Sequence, residues 1–282
     1  MGQSDLGYQP TIRPPWSGTR KINRWTIAIV TIGILVLGAL FSLIYYSTAQ
    51  ISTKTFTYTP PNGSYRGLSI SDVDGPVTVQ IWSQSTILIN GTLTAKGLGS
   101  SLSTITLTNS TSNGNLVFKA TFPPSAGILF SQTFTATINV FVPASSQFEN
   151  VQVTNVNGAV RLKNVNSTSV AIKTTNGNIQ LDCVYCLNAT AVSTNGNVTG
   201  VFATLITKGT YSLTSANDNI VFIAPSSSSF QLSATVLNGS IYCEITGCPS
   251  AADGRALTYT FNGGGSTVDL NSVNGQITLV GT

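Results

Sequence analysis

The chain has 282 residues, enough for one large or two small domains with a sizeable core. Only 8% of the residues are charged and histidine is absent, which excludes Ser-His-Asp triads, Cys-His nucleophile pairs and histidine-containing zinc sites. The net charge of +4 is concentrated in residues 1–24, and the remaining 9 basic and 8 acidic residues leave only +1, so nucleic acid is not expected as a partner.

Residues 25–46 form an apolar run of 22 residues without a charge, WTIAIVTIGILVLGALFSLIYY. A helix of this length is about 33 Å long and spans a hydrocarbon core of about 30 Å. The run therefore predicts one transmembrane helix. Trp25 at one end and Tyr45-Tyr46 at the other are residue types that collect at membrane interfaces.

The charges around this run predict its orientation. Four basic residues precede it, whereas the first one after it is Lys54. The positive-inside rule thus predicts a cell-membrane protein with a short disordered cytoplasmic tail, 1–24, and with residues 47–282 extracellular. The run exceeds a secretory h-region, which favours an uncleaved anchor. The small residues Ser47-Thr48-Ala49 keep open the alternative of cleavage after Ala49.

Three segments are expected after the helix. Residues 47–65, with Pro60-Pro61-Asn62-Gly63, predict a stalk. Residues 66–145 contain alternating apolar runs such as Thr133–Val142 and predict an N-terminal β part of the ectodomain. Residues 146–282 carry a clear internal repeat.

The repeat is an Asn-Gly turn flanked by apolar alternation. The residue in the Gly position is Gly158, Gly177, Gly196, Asp218, Gly239 or Gly275, with successive spacings of 19, 19, 22, 21 and 36. Two positions later the residue is always apolar: Val160, Ile179, Val198, Ile220, Ile241 and Ile277. Period-2 alternation on both sides of a turn indicates two short strands, each with one buried face.

A unit of about 20 residues with one apolar face must stack on its neighbours to bury that face. The fold class predicted is therefore all-β, a β-solenoid ectodomain of about 20-residue repeats, with an antiparallel β-sandwich as the alternative because Asn-Gly is also a hairpin signal. Asparagines aligned at the corner could form a hydrogen-bonded ladder of Asn157, Asn176, Asn195, Asn217, Asn238 and Asn274.

The repeats VQVTNVNGAVRLKNV, VAIKTTNGNIQL and ATAVSTNGNVTG, preceded by INVFVPASSQFENVQV, resemble the bacterial and archaeal putative-adhesin domain family. The resemblance covers residues 66–282. It implies a repetitive β architecture and display on the cell surface, and it brings no catalytic residues.

The four cysteines form two close groups, Cys183 with Cys186 and Cys243 with Cys248. An even number outside the membrane suggests two disulfides with three possible connectivities. In sequence order the groups are three rungs apart, about 14 Å, so the two local pairs are preferred and a shared zinc site is disfavoured. Redox or metal chemistry of the C-x-x-C is the less favoured alternative.

Carboxylates are the remaining candidates for catalysis. Asp182 and Glu244 share one offset from the turn but lie three rungs apart, about 14 Å, whereas paired glycosidase carboxyls are about 5–9.5 Å apart. Asp253 and Arg255 lie in the long interval before Gly275, which is either an insertion or a degenerate rung. We therefore expect no enzymatic activity, no cofactor and no metal site.

Seven N-x-S/T sequons follow the apolar run, about the number that chance would give for this composition. They allow glycosylation at Asn62, Asn90, Asn109, Asn166, Asn188, Asn197 and Asn238.

These observations together predict a membrane-anchored surface protein with a binding, adhesion or envelope-structural role. Its expected partners are a surface glycan or an envelope protein, and self-association through open strand edges is a further expectation. The alternatives are an envelope sensor or accessory subunit of a membrane complex and, less favoured, a polysaccharide-acting enzyme. An adhesin would leave its ligand intact, whereas an enzyme would shorten it.

Overall fold

The structure, a computed structural model, describes residues 23–49, 51–97, 100–123, 132–249 and 254–282. Residues 1–22 of the expected cytoplasmic tail, and Asp253, lie outside these described residues. The chain divides into two compact units, Met1–Ser47 and Thr48–Thr282.

The first unit contains most of the single α-helix of the described chain, α1 (Arg24–Ala49). Its segment Arg24–Tyr46 is long and apolar enough to cross a membrane, and none of its most apolar stretch is buried within the protein. A signal sequence has the same properties, so this finding is compatible with either an anchor or a cleaved signal.

The second unit is built from strands of 3 to 11 residues. They are β1 (Ile51–Tyr58), β2 (Gly67–Ser71), β3 (Val77–Trp82), β4 (Leu88–Lys96), β5 (Thr106–Ser112), β6 (Asn115–Thr121), β7 (Thr133–Pro143), β8 (Phe148–Thr154), β9 (Val160–Lys163) and β10 (Ser167–Asn176). They continue with β11 (Ile179–Cys183), β12 (Cys186–Asn195), β13 (Val198–Phe202), β14 (Thr210–Ser215), β15 (Ile220–Ala224), β16 (Phe230–Asn238), β17 (Ile241–Cys243), β18 (Ala256–Phe261), β19 (Ser266–Asn274) and β20 (Ile277–Gly281). A short 3-10 helix, Leu102–Thr104, precedes β5.

These strands form two sheets of ten strands each. Sheet A has the order β1-β4-β7-β3-β9-β11-β13-β15-β20-β17, and sheet B has the order β18-β16-β19-β14-β12-β10-β8-β2-β6-β5. The strands of the repeat pair in parallel with their neighbours, as in β10 with β12 and β11 with β13. Antiparallel pairs join strands only towards the sheet ends. The β-solenoid prediction is confirmed, and the antiparallel sandwich is not the arrangement.

Each rung of the repeat contributes one strand to sheet B and one to sheet A, joined at an Asn-Gly corner, or at Asn217-Asp218 in β14/β15. Alternate side chains of both strands point into one continuous core, which includes Leu68, Val153, Leu213 and Leu279. At the N-terminal end Phe56 of β1 stacks on Phe118 of β6 with ring centroids 5.9 Å apart. The core therefore continues across the boundary expected at residue 145.

The segment Ile51–Tyr58 differs from the stalk expected over residues 47–65. It forms β1, whose eight residues pair with β4 at the edge of sheet A. Its alternation of Thr with Phe56 and Tyr58 directs the two aromatic rings towards the core. Burial of those rings explains why the segment is part of the folded unit.

The spatial order of the rungs departs from the sequence order at both ends. The rung β19/β20 lies between β14/β15 and β16/β17. The rung that comes later in the sequence therefore occupies the inner position, and β16/β17 lies outside it. At the other end β2/β3 lies between β6/β7 and β8/β9. Consequently Cys183 and Cys243, and likewise Asp182 and Glu244, are separated by four strand spacings rather than the expected three, or about 19 Å.

Candidate functional site

The Asn-Gly corner is a continuous structural ladder. Five amide-to-amide hydrogen bonds of 2.6–2.9 Å link the six asparagines in the order Asn157, Asn176, Asn195, Asn217, Asn274 and Asn238. The glycines allow neighbouring corners to approach closely: a Cβ atom on Gly177 would overlap the carbonyl oxygen of Gly158. Because the ladder amides hydrogen-bond to one another, this corner is assigned to architecture.

A second row of polar side chains is buried just inside this corner. Hydroxyls donate to the carbonyl of the Gly position in the neighbouring rung, as Ser193 does to Gly177 at 2.9 Å and Ser215 to Gly196 at 3.0 Å. Asn155 donates its amide to the Gly75 carbonyl at 2.7 Å in the same way. These bonds satisfy groups that would otherwise be buried without partners.

Asp72 occupies the N-terminal position of this buried row. Its Oδ1 accepts a hydrogen bond from the Val73 amide at 2.8 Å, whereas its Oδ2 is buried without a hydrogen-bond partner among the described residues. Burial, supplemented by the nearby charge of Asp74, raises the pKa of Asp72 to about 7. The carboxyl is therefore partly protonated at neutral pH.

The opposite corner, where sheet A returns to sheet B, carries a groove. We call it the corner groove. Its volume is about 570 Å³, and it is lined by Gln147, Phe148, Asn166, Ser167, Thr168, Val184 and Tyr185. A smaller cavity of about 290 Å³ shares Gln147 and Phe148 with it and is bounded further by the loop around Tyr65. Neither lining contains a charged residue.

A disulfide constrains the Val184-Tyr185 connection that lines the corner groove. We call this connection the tip. Cys183 ends β11 and Cys186 begins β12, and the two are bonded with their Cα atoms 6.1 Å apart. Between them Val184 and Tyr185 are 44% and 52% exposed, and the Tyr185 carbonyl accepts from the Ser167 amide at 3.1 Å. The tip is thus apolar, aromatic and constrained before any ligand binds.

Tyr211 supports this tip from the core. Its hydroxyl donates to the Cys186 carbonyl at 2.8 Å and accepts from the Ile206 amide at 2.8 Å. Burial raises the pKa of Tyr211, so the phenol stays protonated and keeps both bonds. One further polar atom of the groove, Asn166 Oδ1, is buried without a hydrogen-bond partner among the described residues.

The second pair, Cys243 and Cys248, is also bonded, with Cα atoms 6.1 Å apart. Both disulfides are the local pairs that the rung distance favours. In the described part of the chain no three His, Cys, Asp or Glu side chains cluster as a metal site would require. The candidate carboxylates Asp182 and Glu244 are not brought together, because β13, β15 and β20 lie between their strands.

The sequons fall into two groups. Asn62, Asn109 and Asn188 are exposed and stand outside the ladder. Others have structural contacts: Asn197 accepts from the Asn219 amide at 3.2 Å, and Asn238 donates to Asn274 at 2.8 Å. Asn90 faces Asn139 at 3.5 Å, and Asn166 lines the corner groove.

Sequence reasoning did not identify Val184 and Tyr185 as surface features. The available signal was two bulky residues enclosed by C-x-x-C at a strand-to-strand connection. Pairing of the cysteines was expected, but its consequence, the fixed exposure of an aromatic ring, requires the position of the connection in the fold.

Comparisons with known proteins identify the family to which the chain belongs. A crystal structure of a putative cell adhesion protein from Clostridium sporogenes is similar at 8% identity, with a TM-score of 0.49, covering 82% of this chain and 100% of that one. A putative adhesin from Bacteroides fragilis is similar at 11% identity, with a TM-score of 0.33, covering 84% and 99%. No curated protein matches the chain. The sequence profile of the family described as Toastrack DUF4097 matches residues 34–280 and confirms the resemblance seen in the Asn-Gly repeats, so the chain belongs to this family.

Proposed function

We propose that the protein is a membrane-anchored, non-catalytic binding protein of the cell surface, and that its corner groove holds a neutral glycan. In this proposal α1 spans the cell membrane, the N-terminus is cytoplasmic and residues 47–282 are extracellular. The basic residues before α1 and the two disulfides, which persist in oxidising compartments, support this orientation.

The observation that carries the proposal is the constrained Tyr185 ring beside an uncharged groove. Sugar rings present C–H faces to an aromatic side chain and hydroxyls to amide and hydroxyl groups. The groove offers both, with Tyr185 next to Gln147, Asn166 and Thr168. Because the disulfide already fixes the tip, binding loses little conformational entropy there.

The absence of charge in the lining selects the ligand class. A phosphate or uronic acid polymer requires basic side chains, and neither cavity supplies one. The polar groups that the lining offers to sugar hydroxyls are the amides of Gln147 and Asn166 and the hydroxyl of Thr168. If the host glycosylates exported proteins, we expect acceptor sites at the exposed Asn62, Asn109 and Asn188.

The test is binding of the full chain in phosphatidylcholine vesicles to a panel of neutral and acidic polysaccharides. Free and bound protein and polysaccharide length are all measured. We expect saturable binding to a neutral polysaccharide of unchanged length. Tyr185→Ala should weaken it roughly tenfold, as expected when a central aromatic contact is removed.

The matched control is Tyr259→Ala, which removes a tyrosine that is 36% exposed on β18, away from the groove. It should bind like the unmodified chain. Equal binding by the Tyr185 variant, or preference for acidic polysaccharides, would contradict the groove assignment. Shortening of the polysaccharide would contradict the non-catalytic assignment.

A further inference from the structure

From β3 to β17 the outer face of sheet A carries two columns of side chains that alternate with the core residues. Three positions after each Gly position are Thr78, Arg161, Gln180, Thr199, Val221, Thr278 and Tyr242, in spatial order from β3 to β17. Five positions after it are Gln80, Lys163, Asp182, Val201, Ile223, Val280 and Glu244. We call these the first and second columns.

The centre of this face is apolar. Val201, Ile223 and Val280 are register partners on three adjacent strands, and Val221 lies beside them on β15. All four are β-branched and half-buried, although they point away from the core. Threonine would provide the same β propensity with a polar surface, so strand formation alone does not explain an aliphatic cluster here.

The segment of this face from β9 to β17 has chemically complementary ends. At its β9 end lie Arg161 and Lys163, and at its β17 end lie Tyr242, which is 52% exposed, and Glu244. Sheet A continues beyond β9 with β3, β7, β4 and β1. A guanidinium pairs with an aromatic face, and an ammonium pairs with a carboxylate. Within one chain these ends are separated by five strand spacings, about 24 Å, so they cannot meet.

A twofold axis parallel to the strands, between β13 and β15, brings the two ends together between copies. This rotation reverses the strand order but keeps each column facing itself. Lys163 of one copy then lies opposite Glu244 of the other, and Arg161 opposite Tyr242. The aliphatic centre faces itself, with Val201 opposite Ile223.

We propose that the outer face of sheet A is a self-association surface on which two copies of this chain pack around that axis. The alternative axis, perpendicular to the strands, keeps the strand order and exchanges the columns. It would place Arg161 opposite Lys163, two like charges, at the same end of the interface. Charge therefore selects one arrangement.

The size of the face predicts a weak contact. From β9 to β17 it is about 24 Å long, and two columns give it a width of roughly 10 Å, well below a standard stable interface of about 800 Å² per partner. Pairing in dilute solution is consequently weak, and it strengthens when copies share a membrane. This last step relies on the membrane anchoring in the proposed function.

The test is zero-length carbodiimide cross-linking of the full chain in phosphatidylcholine vesicles, followed by peptide mass spectrometry. We expect a dimer band that contains an amide between Lys163 and Glu244, a link that is too long to form within one chain. A link from Lys163 to its register partner Asp182 within the chain reports that Lys163 is reactive. A dimer without the 163–244 link, or no dimer, overturns the proposal.

Charge reversal separates pairing from misfolding. Lys163→Glu and Glu244→Lys should each reduce dimer formation at least fivefold. The reduction is measured by energy transfer between labelled copies in the vesicles, because each variant also removes one reacting group of the cross-link. The double variant should restore both the dimer and the 163–244 link. Lys173→Glu, on the outer face of sheet B, is the matched control and should leave the dimer unchanged. Failure of the double variant to restore the dimer would also overturn the proposal. Polysaccharide binding is measured on the same vesicles, so loss of one property is distinguished from loss of the other.

Discussion

The two corners of the solenoid are built on opposite principles. At the Asn-Gly corner the six rungs of the ladder share a surface amide that is bonded to the next amide, and the glycines there bring neighbouring backbones close together. At the opposite corner the connections differ in length and composition, and a disulfide fixes one of them. The repeated corner maintains register, and the variable corner is free to carry a binding site. Substitutions in the two corners should therefore affect different measured properties.

The buried row beside the Asn-Gly corner contains an ionisable residue, Asp72, and this gives the largest expected effect. Its pKa is raised from 3.8 to about 7, so the folded chain holds a proton that the unfolded chain releases. Stability should be greatest below about pH 4 and fall by up to roughly 4 kcal/mol as the pH rises through 7.

Chemical denaturation of wild type and Asp72→Asn between pH 4 and pH 8 measures this dependence. The asparagine variant, which resembles Asn155 in the next rung, should lose most of it. The control Asp269→Asn removes an outward-facing carboxylate of sheet B and should keep the wild-type profile. A flat wild-type profile would show that Asp72 is ionised throughout.

Closing the space at one glycine of the repeated corner should be the next most damaging change. Gly177→Ala places a Cβ atom against the Gly158 carbonyl and separates two rungs. This should lower the free energy of unfolding by about 3 kcal/mol. Gly63→Ala is the matched control, because the nearest atom to its added Cβ is 4.0 Å away. If both variants unfold at the same denaturant concentration, the close approach is not what the corner requires.

Removal of the Cys183–Cys186 disulfide should lower both the stability of the protein and its binding to polysaccharide. The bond closes a loop of four residues, which corresponds to about 2 kcal/mol of stability. Cys183→Ala with Cys186→Ala should lose that amount and also weaken polysaccharide binding, because Val184 and Tyr185 are no longer held. The corresponding change at Cys243 and Cys248 should spare binding. Equal binding losses in both variants would indicate a general effect on folding.

Interruption of the asparagine ladder should have the smallest effect. Asn195→Ala removes the hydrogen bond to Asn176 and the hydrogen bond from Asn217. Because both bonds are exposed, their loss should lower the free energy of unfolding by only about 1 kcal/mol in total. Asn188→Ala, an exposed asparagine outside the ladder, should change the unfolding free energy by less than about 0.5 kcal/mol. Polysaccharide binding should be normal in both, and a binding defect confined to Asn195→Ala would make the ladder itself a ligand surface.

Local sequence patterns were sufficient to predict the rungs but not their order. Alternation around each Asn-Gly turn fixes which side chains enter the core, as Val160 and Ile179 do. The interval of 36 residues before Gly275 gives no indication that β19 and β20 insert beside β14 and β15, because any exposed parallel edge offers the same backbone groups. The corner groove was missed for a related reason: its walls come from separate connections whose proximity depends on rung stacking.

The interleaved rungs at the C-terminal end have a consequence for how the chain reaches its native state. Asn217 bonds to Asn274 across a separation of 57 residues, while the rung made in between is displaced outward. The strand Ile277–Gly281, which follows β16 and β17 in the chain, completes an interior position of sheet A between β15 and β17. Growth of the solenoid cannot simply follow synthesis rung by rung. The outer rung β16/β17 cannot take its place until β19 and β20, which follow it in the chain, have been synthesised and inserted, which makes closure of this end a non-local step of folding.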